Sequence, residues 1–294
     1  MNDTLNKINQ SIWELRESLK RNPHNNALKR DLLRFFFDSR QFVEMRSGLP
    51  EEARSFLYLQ ERESLCCYLI HGAGGSPGDV RQLGDYLFKH GYTVYAGYLP
   101  IGTIESDPYI IRASAKKGDG AGRKQAGARF SWNVCMSMAA IELETLLMYS
   151  ANTYLFGFSF GGTIALNLMN KYDVKSTVLI SPALFPVRTT KYLIFQAFRK
   201  VVPFVVRNYI PRESTVIDLI ERTRSNLQPI DKPVMVIHAA DDPVISAKSF
   251  HFLKQHSRNP KSRFELLKSG GHVIVKGEIS EKVFRMCSDF IKEF

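Results

Sequence analysis

Residues 153–169 read TYLFGFSFGGTIALNLM, and this stretch decides the fold. An apolar run of strand type passes into a helical run through Gly157-Phe158-Ser159-Phe160-Gly161, which fits G-x-S-x-G. A serine in that frame sits on a sharp turn between strand and helix. The flanking glycines relieve crowding of the turn backbone against its neighbours. The turn lifts the hydroxyl clear of the sheet, and the new helix aims unpaired amides at any anion formed there. A bare G-x-S-x-G arises by chance in roughly one chain in ten of this length. The strand–turn–helix setting therefore carries the weight.

Outward from this turn the chain alternates strand, turn and helix. Candidate strands are 56–60, 65–70, 92–96, 153–156, 177–180, 234–238 and 263–267, several of them nearly continuous apolar runs. Helical patterns lie near 78–90, 132–149, 160–171, 246–256 and 279–292. This alternation predicts an α/β fold, a mostly parallel sheet with helices on both sides. Two segments interrupt it. Residues 97–129 contain the basic, glycine-rich KKGDGAGRKQAGAR, and residues 183–228 form an insertion with helical patterns of its own. Both follow carboxyl ends of strands, where open α/β sheets bind ligands.

Residues 1–50 form an N-terminal helical extension to a catalytic domain of residues 51–294 that carries a helical cap at about 183–228. Leu5, Ile8, Ile12, Leu15 and Leu19 make one apolar face, Asn22-Pro23 interrupts it, and a second helix runs from about Asn26 to Asp38. Such a hairpin either covers the sheet or pairs with a second subunit to give a homodimer.

The 294 residues are 44% hydrophobic, enough for one large core. Four cysteines show no CxxC spacing, so zinc and redox centres are not expected and a reduced, cytoplasmic compartment is. Cys66 and Cys67 should point to opposite faces of a strand. The first residues lack the apolar block of a signal peptide, and no run approaches a membrane span. The net charge of +11 comes without any nucleic-acid-binding motif, which argues against a nucleic-acid partner.

Three further motifs carry chemistry. His71-Gly72-Ala73-Gly74-Gly75, after an early strand, supplies a backbone turn; the amides of Ala73 and Phe160 are the expected oxyanion donors, with the His71 imidazole structural. VMVIHAADDPVIS, residues 234–246, ends a strand in Asp241-Asp242. Asp241 is expected to be the acid, and Asp242 to cap the helix or brace the turn. Asp173 and Asp231 lie at the wrong end of the sheet. LLKSGGHVIV, residues 266–275, places His272 in a glycine-rich loop and completes the chain order Ser, Asp, His.

HGAGG, GFSFGG, ADDPV and GGH together resemble the oxyanion loop, nucleophile turn, acid turn and histidine loop of the α/β-hydrolase superfamily. Within it, residues 55–294 are most similar to small microbial carboxylesterases and monoacylglycerol-lipase-like enzymes. The resemblance implies a triad of Ser159, Asp241 and His272, no metal or organic cofactor, and a small-molecule acyl ester as substrate. Phe158, Phe160, Phe185 and the aromatic cap suggest an apolar or fatty acyl group. Thioesterase, acyltransferase and non-catalytic binding readings share the same motifs. The turn Tyr98-Leu99-Pro100-Ile101-Gly102, the long basic loop and the N-terminal helices depart from the family pattern. In the cap, Arg188, Lys191, Arg199, Lys200 and Arg207 interleave with aromatic and aliphatic residues, which suits contact with anionic lipid or an anionic acyl carrier.

Overall fold

The computed structural model describes residues 2–61, 64–100, 132–187 and 216–294, with the side chains of residues 2–6 excepted. The basic loop beyond residue 100 and cap residues 188–215 lie outside the described residues.

Seven strands form one sheet: β1 (Phe56–Tyr58), β2 (Cys66–Ile70), β3 (Thr93–Ala96), β4 (Thr153–Phe158), β5 (Thr177–Ile180), β6 (Val234–Ala239) and β7 (Arg263–Leu267). Their spatial order is β1-β3-β2-β4-β5-β6-β7. β1 runs antiparallel to β3, and every other pair is parallel. β2 to β6 are buried along their whole length, as continuous apolar runs require when both faces are covered. The sheet takes the two adjacent cysteines apart. Cys66 joins the core on one face and Cys67 the core on the other.

Eight helices lie among the described residues: α1 (Asn2–Arg21), α2 (Asn26–Arg46), α3 (Arg81–Lys89), α4 (Trp132–Tyr149), α5 (Phe160–Met169), α6 (Val216–Ser225), α7 (Lys248–His256) and α8 (Ser280–Ile291). α3 and α8 cover one face of the sheet, with Leu83, Leu87, Val283, Phe284 and Phe290 buried there. α2 and α4 to α7 supply the core of the other face.

The N-terminal hairpin lies on this chain's own sheet. Asn25 caps α2 by accepting from the Leu28 amide at 3.1 Å. Leu33 and Phe36 enter the core shared with Tyr95, Cys135 and Leu143. Arg16 of α1 donates to the Thr145 hydroxyl of α4 at 2.8 Å. α2 also runs two turns beyond Asp38, where the sequence pattern turns polar, and stops only where Gly48 takes φ +77°. Within the extra turns Arg40 and Glu44 bond across to other elements. Glu44 is 1% exposed.

Candidate active site

Ser159 joins β4 to α5 in a conformation that L-residues rarely adopt, φ 55° and ψ −119°. The surrounding backbone holds it there. Its amide donates to the Ile180 carbonyl at 2.9 Å, and its carbonyl accepts from Gly162 and Ala183 at 2.9 and 3.0 Å. The glycines of the motif are steric necessities. A Cβ on Gly157 would stand 2.5 Å from the Gly161 carbonyl oxygen, and one on Gly161 would stand 2.2 Å from that of Ile70. The turn can therefore close only with hydrogen at both positions.

The Ser159 hydroxyl lies 2.9 Å from His272 Nε2. On the other side of the ring, Nδ1 lies 2.8 Å from Asp242 Oδ2. This corrects the expected acid: Asp242, not Asp241, stands behind the histidine. The Asp242 side chain is fully buried, and its other oxygen accepts from the amides of Val244 and Ile245 at 2.8 and 2.9 Å. Bracing the turn and facing the imidazole are thus one residue's work, divided between its two oxygens. Asp241 is exposed and accepts instead from the amides of Gly271 and Gly270 at 2.9 and 3.3 Å, so it shapes the loop that carries His272. Gly271 takes φ +65° in that loop.

Burial pushes the Asp242 carboxyl up, but the His272 hydrogen bond and the two amides outweigh it and hold it below the ordinary aspartate value. Behind it lies His238, whose Nε2 is 3.0 Å from the Ile245 carbonyl and 3.8 Å from Asp242 Oδ2. Burial lowers the His238 pKa against the opposing pull of the Ile245 carbonyl and Asp242.

Sequence reasoning missed Ser181. It takes φ 46°, and its hydroxyl donates to the His272 carbonyl at 3.1 Å. A serine after a strand carries no sequence signal for such a part. The expected oxyanion loop does reach the serine. A Cβ on Gly72 would stand 3.1 Å from Ser159 Cβ. Among the described residues, no hydrogen bond occupies the amide of Ala73 or that of Phe160. The loop's short helix begins with a capping box between Ser76 and Asp79, and Lys276 closes on Asp79 at 2.6 Å, which ties this loop to the histidine loop.

The His71 ring has a defined tautomer. Its Nε2 accepts from the Leu99 amide at 3.1 Å, so the proton sits on Nδ1, which donates to the Gly72 carbonyl at 2.9 Å. Of the aromatic residues expected to line a pocket, Phe160 is 1% exposed and belongs to the core. Phe185 packs edge-on against Phe252 and beneath Arg224. Among the described residues Phe158 has its ring beside His272, at 5.4 Å between centroids.

No family model matches this sequence. No curated protein matches it. Solved structures do match it in three dimensions. One is a metagenome-derived lipolytic enzyme of the LipS and LipT pair, with TM-score 0.62 and 13% identity over 83% of this chain and 99% of that one. A second is the monoacylglycerol lipase of Paleococcus ferrophilus, with TM-score 0.59 and 18% identity over 81% of this chain and 97% of that one. A third is an α/β-hydrolase enzyme from the metagenome of Mar Chica lagoon sediments, with TM-score 0.51 and 18% identity over 83% of this chain and 97% of that one. The sheet order, the strained serine between β4 and α5 and these likenesses lead to one structural conclusion: the chain has the α/β-hydrolase fold.

Proposed function

We propose that the protein is a serine hydrolase of carboxylic esters that works through an acyl-enzyme intermediate. One observation carries the reading: an unbroken hydrogen-bonded series, Asp242 to His272 to Ser159, ending on a serine at positive φ. His272 removes the hydroxyl proton as Ser159 Oγ attacks the acyl carbonyl. Asp242 holds the imidazole in the required tautomer and stabilises the imidazolium. The Ala73 and Phe160 amides receive the oxyanion. Collapse expels the alcohol, which takes the proton from His272. Water, deprotonated by the same imidazole, then releases the acid and frees the serine.

The proposed substrate carries an apolar acyl group. Phe158 beside His272 supports this, and two of the structural neighbours are described as lipolytic or as a monoacylglycerol lipase. The basic and aromatic sequence of the cap further suits an anionic lipid or acyl carrier. The deciding experiment is a fluorophosphonate label followed by peptide mapping, with an acyl-chain-length series on esters. Attachment at Ser159 and turnover rising with acyl length are expected. Folded protein that takes no label would remove the reading, and salt-independent turnover on anionic vesicles would remove the lipid contact.

A further inference from the structure

Three strands separate β3 from β6, and beside β3 a second buried polar cluster joins the N-terminal hairpin to the turn after that strand. Arg40 of α2 lies at its centre. Its Nη2 donates to the Tyr98 carbonyl at 2.6 Å and stands 3.2 Å from Glu142 Oε1 of α4 and 3.6 Å from Glu44 Oε1. Glu142 also accepts from the Tyr68 hydroxyl at 2.6 Å. The Glu142 carboxylate lies so close over Gly97 that a Cβ there would stand 2.2 Å from both its oxygens. Glu44 accepts from the Ser55 amide at 2.8 Å and the Ser55 hydroxyl at 2.5 Å. Ser55 Oγ in turn accepts from the Tyr98 amide at 2.8 Å.

Tyr98 is thus gripped by both backbone groups, its N–H by Ser55 and its C=O by Arg40. The next amide, that of Leu99, is the one that fixes His71, and His71 fixes the Gly72 carbonyl. The Tyr98 ring also stacks on His71, 6.0 Å between centroids. In a planar trans peptide the N–H points opposite to the C=O. Turning the Gly72 carbonyl towards His71 therefore turns the Ala73 amide away from it. Ala73 is the proposed oxyanion donor, in the loop whose Gly72 packs against Ser159.

We infer that Arg40 and Ser55 are positioning residues for the oxyanion loop: they hold the Tyr98–Leu99 turn that sets His71 and, through it, the direction of the Ala73 amide. The inference rests on the proposed hydrolase reading. It gives the N-terminal hairpin a part in turnover. A purely structural hairpin would alter melting temperature and leave the kinetics of folded protein unchanged. A positioning hairpin alters kcat and leaves KM in place, because the oxyanion exists only in the transition state.

The test uses the full chain and a short neutral ester, with melting temperature and circular dichroism recorded for every variant. Ser55→Ala frees the Tyr98 amide with the loss of one oxygen. Arg40→Met/Glu44→Gln/Glu142→Gln removes the grip on the Tyr98 carbonyl without stranding a buried charge. Each should lower kcat by about tenfold or more with KM within about twofold, a fraction of the ~10²-fold that a 1 Å misplacement can cost. A folded triple variant and a folded Ser55→Ala variant with wild-type kcat overturn the inference. If the triple variant does not fold, Ser55→Ala decides alone, by the same split between kcat and KM. Wild-type protein that turns over no ester and takes no fluorophosphonate removes the hydrolase reading, and this inference with it.

Discussion

Two of the places where the described residues bury carboxylates treat them in opposite ways. Asp242 sits at the carboxyl edge of the sheet with three donors aimed at it, two backbone amides within three residues and the imidazole of His272. Glu44 and Glu142 share one guanidinium under the N-terminal hairpin, helped by hydroxyls of Ser55 and Tyr68. Burial pushes all three up. At Asp242 the donors win and the carboxyl lies below its ordinary value. At Glu44 and Glu142 burial wins over Ser55, Tyr68 and Arg40, and the neighbouring Glu44 raises Glu142 further. The difference teaches that a buried carboxyl lies above or below its ordinary value according to whether desolvation or its donors weigh more. The first arrangement suits a group that must remain an anion opposite a histidine. The second suits a clamp between secondary-structure elements.

The sharpest break between the two places is catalytic. Ser159→Ala should lower kcat by at least about four orders of magnitude with the fold intact, since members of such a series act as a unit. Residual activity above a tenth of wild type would place the chemistry elsewhere. Asp242→Asn comes next, with a loss of about 10³- to 10⁴-fold through the wrong histidine tautomer. Asp241→Asn should cost less than about tenfold, because it removes the acceptor from only one of two loop amides at the surface. Steady-state kinetics on the two asparagine variants side by side test the assignment. The opposite ranking would return the acid's part to Asp241.

That assignment also marks where the sequence stops being readable. Strand and helix positions were legible, because apolar runs and the glycine-flanked serine are local signals. β5, β7 and α4 fall at the residues that periodicity predicts. The choice between Asp241 and Asp242 was not. Adjacent residues on a turn differ only in the direction of one side chain, and that direction depends on His272, 30 positions away. The polar cluster of Arg40, Glu44 and Glu142 was still less legible. Arg40 and Glu142 lie 102 positions apart, and the apolar pattern that marks the second helix in the sequence ends at about Asp38, short of the turns that carry Arg40 and the buried Glu44. Phe160 shows the converse error. An aromatic side chain next to a nucleophile suggests a pocket wall, yet the helix start turns it into the core.

The next prediction moves to the clamp. Arg40→Met leaves Glu44 and Glu142 buried without their shared cation. Removing one partner of a buried pair costs about 3–5 kcal/mol, or roughly 5–8 °C in melting temperature for a chain of this size. Calorimetry on the single variant and on the triple variant with both glutamates replaced by glutamine separates the two causes. The triple variant should recover most of the loss, because no charge is left stranded. An equal loss in both would mean that the hairpin depends on the Arg40 side chain's packing rather than on its charge.

The smallest expected effect concerns pH, where the two kinds of carboxylate pull in opposite directions. A carboxyl held below its ordinary value stabilises the fold above that value, about 3.9 for aspartate, and the gain is lost as pH falls through the lowered pKa. For Glu44 and Glu142 the sign reverses. Their pKa values are raised, so the folded chain holds these protons more tightly than the unfolded chain does. Stability should therefore fall as pH rises from the ordinary glutamate value, about 4.3, through the raised values. Glu142→Gln cannot ionise and escapes its share of that fall. The melting temperature of the variant minus that of the wild type should thus increase between about pH 4 and pH 8, by a few degrees at most. A melting series on both proteins in matched buffers reads this difference directly. A difference that decreased over the same range would show that attraction to Arg40 outweighs burial at Glu142, and the contrast between the two carboxylate sites would collapse into one of degree.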